Sequence, residues 1–176
     1  AMLNSLYKTA QKLGIEIVYE AEVVALDVED GFFKSATVKH KGANHTVRAK
    51  ALVAACGGFE SNFDWLERGW GPAARNFLIR GTANNKGTVL DMLIKSGVQQ
   101  IGDPTQCHAV AIDARAPKYD GGIITRLDCV VFGIVVNKLA QRFYDEGEDV
   151  WPKRYAIWGR LVAGQPDQIC LLYTSP

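Results

Sequence analysis

Ala51-Leu52-Val53-Ala54-Ala55-Cys56-Gly57-Gly58-Phe59 is a nearly uninterrupted apolar run broken by two glycines. An uncharged run of this length that ends in glycine has the pattern of a strand buried on both faces. Paired glycines at its end let another group approach the backbone, because no Cβ stands in the way. In open α/β sheets the ends of such strands are where cofactors dock, with a plain tight turn as the ordinary alternative. The run predicts an α/β sheet here, with a cofactor contact or a turn at the glycines.

Toward the N-terminus, Leu3, Leu6, Tyr7, Ala10 and Leu13 recur at helical spacing, and Gly14 follows as a C-cap. Residues 15–19 then read as a short strand. Three more strands are predicted at 22–28, 34–39 and 46–53, separated by Asp30-Gly31 and Gly42-Ala43-Asn44, whose residues supply positive φ cheaply in hairpins. The result is a helix, a strand and a three-stranded antiparallel meander.

Toward the C-terminus, Ser61 and Asp64 have the spacing of a capping box that opens a short helix through Trp65 and Leu66, ended by Gly69-Trp70-Gly71-Pro72. Residues 88–96 form a second helix with an Asp91 to Lys95 pair at i,i+4 and a stop at Gly97. A boundary is expected near Asp103-Pro104. Beyond it come short strands at 106–112 and 122–125, a longer one at 130–137, and a stretch from Arg142 to Arg154 dense in charge and aromatic rings.

The chain has 176 residues, and its 20 basic against 19 acidic side chains leave a net charge of +1. With no basic block to displace counterions, nucleic acid is not an expected partner. The longest apolar run, residues 129–136, is far short of the roughly 20 residues that cross a bilayer. Cys56, Cys107, Cys129 and Cys170 lie far apart with no CxxC pair and no signal-peptide pattern, which places the protein in the cytoplasm with reduced thiols. The chain opens inside a helical pattern without Met at position 1, so it is expected to be part of something longer. Residues 170–176 resemble translated sequencing-adapter sequence and are expected to be a non-native tail.

No GxGxxG, P-loop, nucleophile elbow or HExxH occurs. The more specific stretches are Gly102-Asp103-Pro104-Thr105-Gln106-Cys107-His108-Ala109-Val110, Gly121-Gly122-Ile123-Ile124-Thr125-Arg126-Leu127-Asp128, and Arg142-Phe143-Tyr144-Asp145-Glu146-Gly147-Glu148-Asp149 running on to Trp151-Pro152-Lys153-Arg154-Tyr155. With the order of elements, these resemble the flavoprotein subunits of the fumarate reductase and succinate dehydrogenase family, over residues 1 to about 168. Within that family the likeness is greatest to members that oxidise tricarballylate.

The resemblance implies FAD as cofactor and an α/β plus α+β architecture. Residues 1–104 would be a partial FAD-binding domain without its N-terminal dinucleotide fingerprint, and residues 105–169 the start of a substrate-capping domain. Val23, Ala55, Cys56, Gly57 and Gly58 would contact the cofactor. Cys56-Gly57 stands where family members carry Thr-Gly or Ser-Gly, and Lys86-Gly87-Thr88-Val89 where many have Thr-Gly-Asp-Gly.

His108 matches the histidine that binds a substrate carboxylate, although a lone strand histidine is ordinarily structural. Its neighbour Cys107 does not make a metal site, since adjacent strand residues point to opposite faces, and no metal is expected. Thr125 matches a threonine that bonds the same carboxylate, and Arg126 and Asp128 are the nearest counterparts of a proton relay. The family's acid/base arginine follows Arg-Phe-x-x-Glu. Four residues beyond Glu146 stands Val150, so the role falls to Arg154, with Arg160 second. Glu146, with Glu148 or Asp149, would hold that arginine by bidentate pairing. Without the family, a charged run is ordinarily a solvated turn.

The function implied is oxidation of a small polycarboxylate, tricarballylate to cis-aconitate in type, by hydride transfer to flavin. The electrons would leave to a membrane-associated partner. The alternatives are a fumarate or ketosteroid reductase-like flavoenzyme, a non-catalytic carboxylate-binding module, or an inert fragment. The chain alone is expected to be inactive and to bind FAD weakly.

Overall fold

Two glycine-terminated helices and two small antiparallel sheets organise the chain. The computed structural model describes residues 2–122, 125–148 and 151–174. In chain order its elements are α1 (Met2–Lys12), β1 (Ala21–Glu29), β2 (Phe32–His40), β3 (Ala43–Arg48), α2 (Phe63–Trp70), α3 (Thr88–Lys95), β4 (Gly133–Asn137), α4 (Trp151–Ala163) and β5 (Cys170–Thr174). They fall into two compact units, one of Ala1–Ala55 with Val89–Gln99, the other of Cys56–Thr88 with Gln100–Pro176.

In the first unit β1, β2 and β3 form the expected meander, paired antiparallel in that order. Asp30 (φ 51°) and Gly31 (φ 79°) close the first hairpin. Lys41 (φ 50°) and Gly42 (φ 81°) close the second, so β3 starts at Ala43 and ends at Arg48 rather than running on to Val53. Two consecutive positive-φ residues match the twist of the flanking strands. Both helix ends fall where glycine predicts them. At α1 the Ile15 N–H donates to Ala10 O at 3.0 Å and the Gly14 N–H to Gln11 O at 3.1 Å; after α3 the Val98 and Gly97 N–H groups repeat this on Leu93 O and Ile94 O at 3.1 and 3.0 Å. These are Schellman endings, with Gly14 and Gly97 at φ +70° and +81°.

Two predicted strands are absent. Residues 15–19 and 51–56 are irregular and mostly exposed, Val53 to 87%. A strand exists only where a neighbour takes its backbone N–H and C=O groups, and among the described residues none borders either segment. Their apolar character alone cannot supply that partner.

The second unit holds two apolar clusters. Leu66, Ala74 and Ile79 pack with Phe59, Phe63, Trp70, Phe77 and Tyr119. The N-cap of α2 is Asn62, whose side chain accepts from Trp65 N at 3.2 Å, and not Ser61. Ser61 is buried, and its hydroxyl donates instead to Thr82 O at 2.6 Å. The other cluster joins Val130, Val135 and Trp158 with Phe143, Tyr144 and Leu161. The strand predicted at 130–137 is split: Asp128–Phe132 is a 3-10 turn and only Gly133–Asn137 is extended. Cys170–Thr174 pairs antiparallel with it, Val135 opposite Leu172. The strand predicted at 106–112 reduces to one antiparallel bridge between Ile112 and Arg126, and of the strand predicted at 122–125, residues 123 and 124 lie outside the described residues.

Helix α4 lies directly on the chain at Ala109 and Val110, because Gly159 has no side chain: a Cβ there would overlap the Ala109 carbonyl. Trp158, 1% exposed, fills the cluster beside it. Gly159→Ala is therefore expected to cost about 3 kcal/mol, at the upper end for one added methyl in a packed site, because backbone and not a movable side chain is struck. A lowered midpoint of urea unfolding with unchanged slope would show it.

Candidate functional site

The ladder around Ile112 and Arg126 places the first site residues. Asp113 N donates to Thr125 O at 2.9 Å and Leu127 N to Ala111 O at 3.0 Å. Alternation along an extended segment sends Arg126 to one side and Thr125 and Leu127 to the other. Tyr155 stands one helical turn before Gly159, so the close approach of α4 brings its ring down beside this ladder.

The outcome is a cluster centred on Tyr155. The His108 ring meets it edge-on, centroids 5.5 Å apart at 67°. The Arg126 guanidinium lies 4.7 Å from the centre of the same ring. Arg126 in turn donates from Nε and Nη2 to Asp128 Oδ2, at 3.0 and 2.7 Å. Arg154, the next residue along α4, donates to the Glu148 and Gly147 carbonyls at 3.2 and 3.3 Å and lines a narrow recess with Leu127, Asp128, Val130 and Tyr155. His108 and Arg154 are thus brought to the two neighbours Tyr155 and Asp128.

Thr125 faces elsewhere. Its hydroxyl donates to Gly122 O at 3.1 Å, and it lines an open recess of about 260 Å³ with Asp113, Arg115, Ala116 and Leu127. Arg115 donates to Asp113 from Nε and Nη2 and holds that carboxyl at about 2, together with the Arg115 backbone N–H. This Asp-x-Arg chelate had only its two-residue spacing as a signal in the sequence.

Glu146 does not pair with Arg154. Its Oε2 accepts from Arg142 Nε and Nη2 at 2.9 and 2.5 Å, and its Oε1 from Val135 N at 2.7 Å. The carboxylate is buried and tied to β4, so both oxygens are spent on local structure; the i,i+4 spacing of Arg142 and Glu146 was the signal for it. Of the other suggested partners, Glu148 takes Arg154 through its backbone carbonyl, and Asp149 lies outside the described residues. Arg160 donates to Gln106 Oε1 at 2.5 Å. Burial pushes the Cys107 thiol up, against the opposing influence of Arg160.

Of the cofactor residues, Val23 lies in β1 opposite Val38 and belongs with Ala55 to the first unit, while Cys56, Gly57 and Gly58 belong to the second. Gly57 has φ +77°, and a Cβ on it would sit 3.2 Å from the Asn85 amide; one on Gly58 would sit 3.3 Å from Glu60 Oε2. Asn85 donates to Glu60 at 2.6 Å and its carbonyl accepts from Ser61 N at 2.9 Å. Exposed backbone at 56–57, flanked by a carboxylate and an amide, suits a hydroxyl-bearing ligand held by hydrogen bonds. Glu60 and Asn85 escaped sequence reasoning because they act through a fold-back of 25 residues. Among the described residues no three His, Cys, Asp or Glu side chains converge to hold a metal, and no helix is long and apolar enough to cross a membrane.

A family model described as an FAD binding domain matches residues 1–163. No curated protein matches the chain. Among solved structures, the open conformation of a flavocytochrome c3 fumarate reductase superposes with a TM-score of 0.66 at 21% identity over 96% of this chain and 28% of that one. A 3-ketosteroid-delta4-(5alpha)-dehydrogenase from Rhodococcus jostii RHA1, in complex with 4-androstene-3,17-dione, superposes with 0.67 at 23% identity over 95% of this chain and 31% of that one. The chain therefore spans under a third of the length of either.

Arg142 holds the Glu146 carboxyl below its ordinary 4.5 through its hydrogen bonds, with a smaller contribution from Val135 N–H. A depressed carboxylate contributes stability that is fully present above the unfolded pKa and is lost as pH falls through the folded one. Glu146→Gln is expected to lower stability by about 2 kcal/mol at pH 7, since a buried acceptor set is broken while Arg142 remains half exposed. The gap between the two proteins should narrow as pH falls below 4.5. Urea titrations at a series of pH values would measure it.

Proposed function

The chain belongs to the FAD binding domain family, with FAD as its cofactor, and on that premise we propose that it is part of a flavin-dependent dehydrogenase that oxidises a small polycarboxylate, tricarballylate to cis-aconitate in type. The observation that carries the proposal is the convergence on Tyr155 of His108 and Arg126, with Arg154 beside it. The Arg126 guanidinium and the His108 ring against one Tyr155 ring offer hydrogen-bond donors that favour an anionic substrate over a neutral one. That supports the polycarboxylate reading; a ketosteroid reductase-like enzyme is the alternative, whose neutral substrate would give an arginine cluster nothing to pair with. Fumarate reduction, the same chemistry run backwards on a smaller acid, is the second reading that this cluster accommodates.

Gly57 and Gly58, with the Glu60–Asn85 pair beside them, are the residues of the second unit that would hold the cofactor. Bound FAD supplies the acceptor for the hydride. His108 takes a substrate carboxylate, and Thr125 offers a hydroxyl that can leave Gly122 O for a second acceptor. Arg154 is the proton-transfer group, its guanidinium held in a fixed direction by the Gly147 and Glu148 carbonyls. Residues 1–104 and 105–169 are proposed as the cofactor and capping portions, the protein as cytoplasmic, and the electron acceptor as a membrane-associated protein.

The test is steady-state oxidation of tricarballylate and of succinate by the FAD-loaded protein that carries this chain. Arg154→Lys is expected to lower kcat by about 10² to 10³ with the flavin retained, the scale of a lost general acid/base. Intact turnover would take the role from Arg154. Flavin reduction by neither acid would overturn the polycarboxylate reading.

A further inference from the structure

Tyr155 has no part in the roles assigned above, yet it is the residue that His108 and Arg126 share. Arg126 is held on two sides, by the face of the Tyr155 ring and by Asp128, and its side chain is 20% exposed. Its bonds to Asp128 use Nε and Nη2; among the described residues Nη1 makes no hydrogen bond. A guanidinium stacked on a ring and chelated at one edge has lost its rotational freedom but keeps open donors, which is the state in which arginine recognises a carboxylate best. His108 packs against the same ring at a steep angle, centroids 5.5 Å apart at 67°.

We propose that Tyr155 is a positioning residue that sets His108 and Arg126 as a two-point receptor, with Arg126 Nη1 taking a carboxylate beyond the one held at His108. The proposal rests on the polycarboxylate reading and deepens it: the site would select a tricarboxylate over a dicarboxylate. The aromatic ring does this work, and the phenol hydroxyl is dispensable.

The experiment is calorimetric titration of the FAD-loaded protein with tricarballylate and with succinate, alongside spectra of ¹³C-labelled histidine. The His108 resonance is identified by its loss in His108→Asn. Wild type is expected to bind tricarballylate about tenfold more tightly than succinate. Tyr155→Leu should weaken tricarballylate about tenfold, raise KM while leaving kcat, and remove the ring-current displacement of His108. Tyr155→Phe, which keeps the ring, should restore all three. Arg126→Gln should bring the two acids to equal affinity while leaving the His108 resonance in place, and it decides the matter if Tyr155→Leu does not fold. If both acids bind and Arg126→Gln weakens them equally or not at all, the assignment is overturned while the polycarboxylate reading stands. If wild type binds neither acid, that reading fails and the receptor with it.

Discussion

The candidate site depends on a backbone-to-helix contact that only glycine permits. With Gly159 against the Ala109 carbonyl, α4 comes close enough for Tyr155, one turn earlier, to reach both His108 and Arg126. Trp158, on the adjacent position, fills the apolar cluster with Val130 and Val135 and so fixes the rotation of the helix about its axis. Distance and rotation together determine which residues of α4 face the ladder at Ile112 and Arg126. Side-chain chemistry at 108, 126 and 154 is local, but its convergence is a property of this one packing contact.

Three arginines of the second unit find their carboxylates at short range, whereas Arg75 and Lys138 reach further along the chain. Arg115 closes on Asp113, Arg126 on Asp128 and Arg142 on Glu146, at separations of two, two and four residues. Pairs so near in sequence cost little ordering entropy to form. Their consequence is functional: Glu146 and Arg142 satisfy one another and anchor β4, whereas Arg126 is chelated at one edge and leaves Nη1 open. Local pairing thus leaves Arg142 bound to a buried carboxylate and Arg126 held by a partly exposed one.

What was legible in the sequence is what depends on neighbours in sequence. Gly14 and Gly97 terminate their helices through bonds spanning three and five residues, and Asp30-Gly31 closes its hairpin with its own positive φ angles. Residues 51–56 looked like a buried strand, but hydropathy speaks of what a segment would bury and not of whether an edge is there to pair with it. Ser61 and Asn62 are both competent caps, and the choice between them is made by Thr82, 21 residues away. The same limit applies to Glu60 and Asn85 beside the glycines.

The candidate site shows this limit at its sharpest. His108 and Arg154 were singled out by likeness of motif, since spacing gives no reason for residues 46 positions apart to meet. The structure sets Tyr155 against His108 and Arg126, with Arg154 adjacent to it in sequence, a contact that sequence reasoning did not assign. An aromatic ring offers a negative face to a guanidinium and a T-shaped contact to another ring, so one side chain can hold Arg126 and His108 at once. No aliphatic residue at 155 could do so, which is why burial alone is a poor account of its presence there.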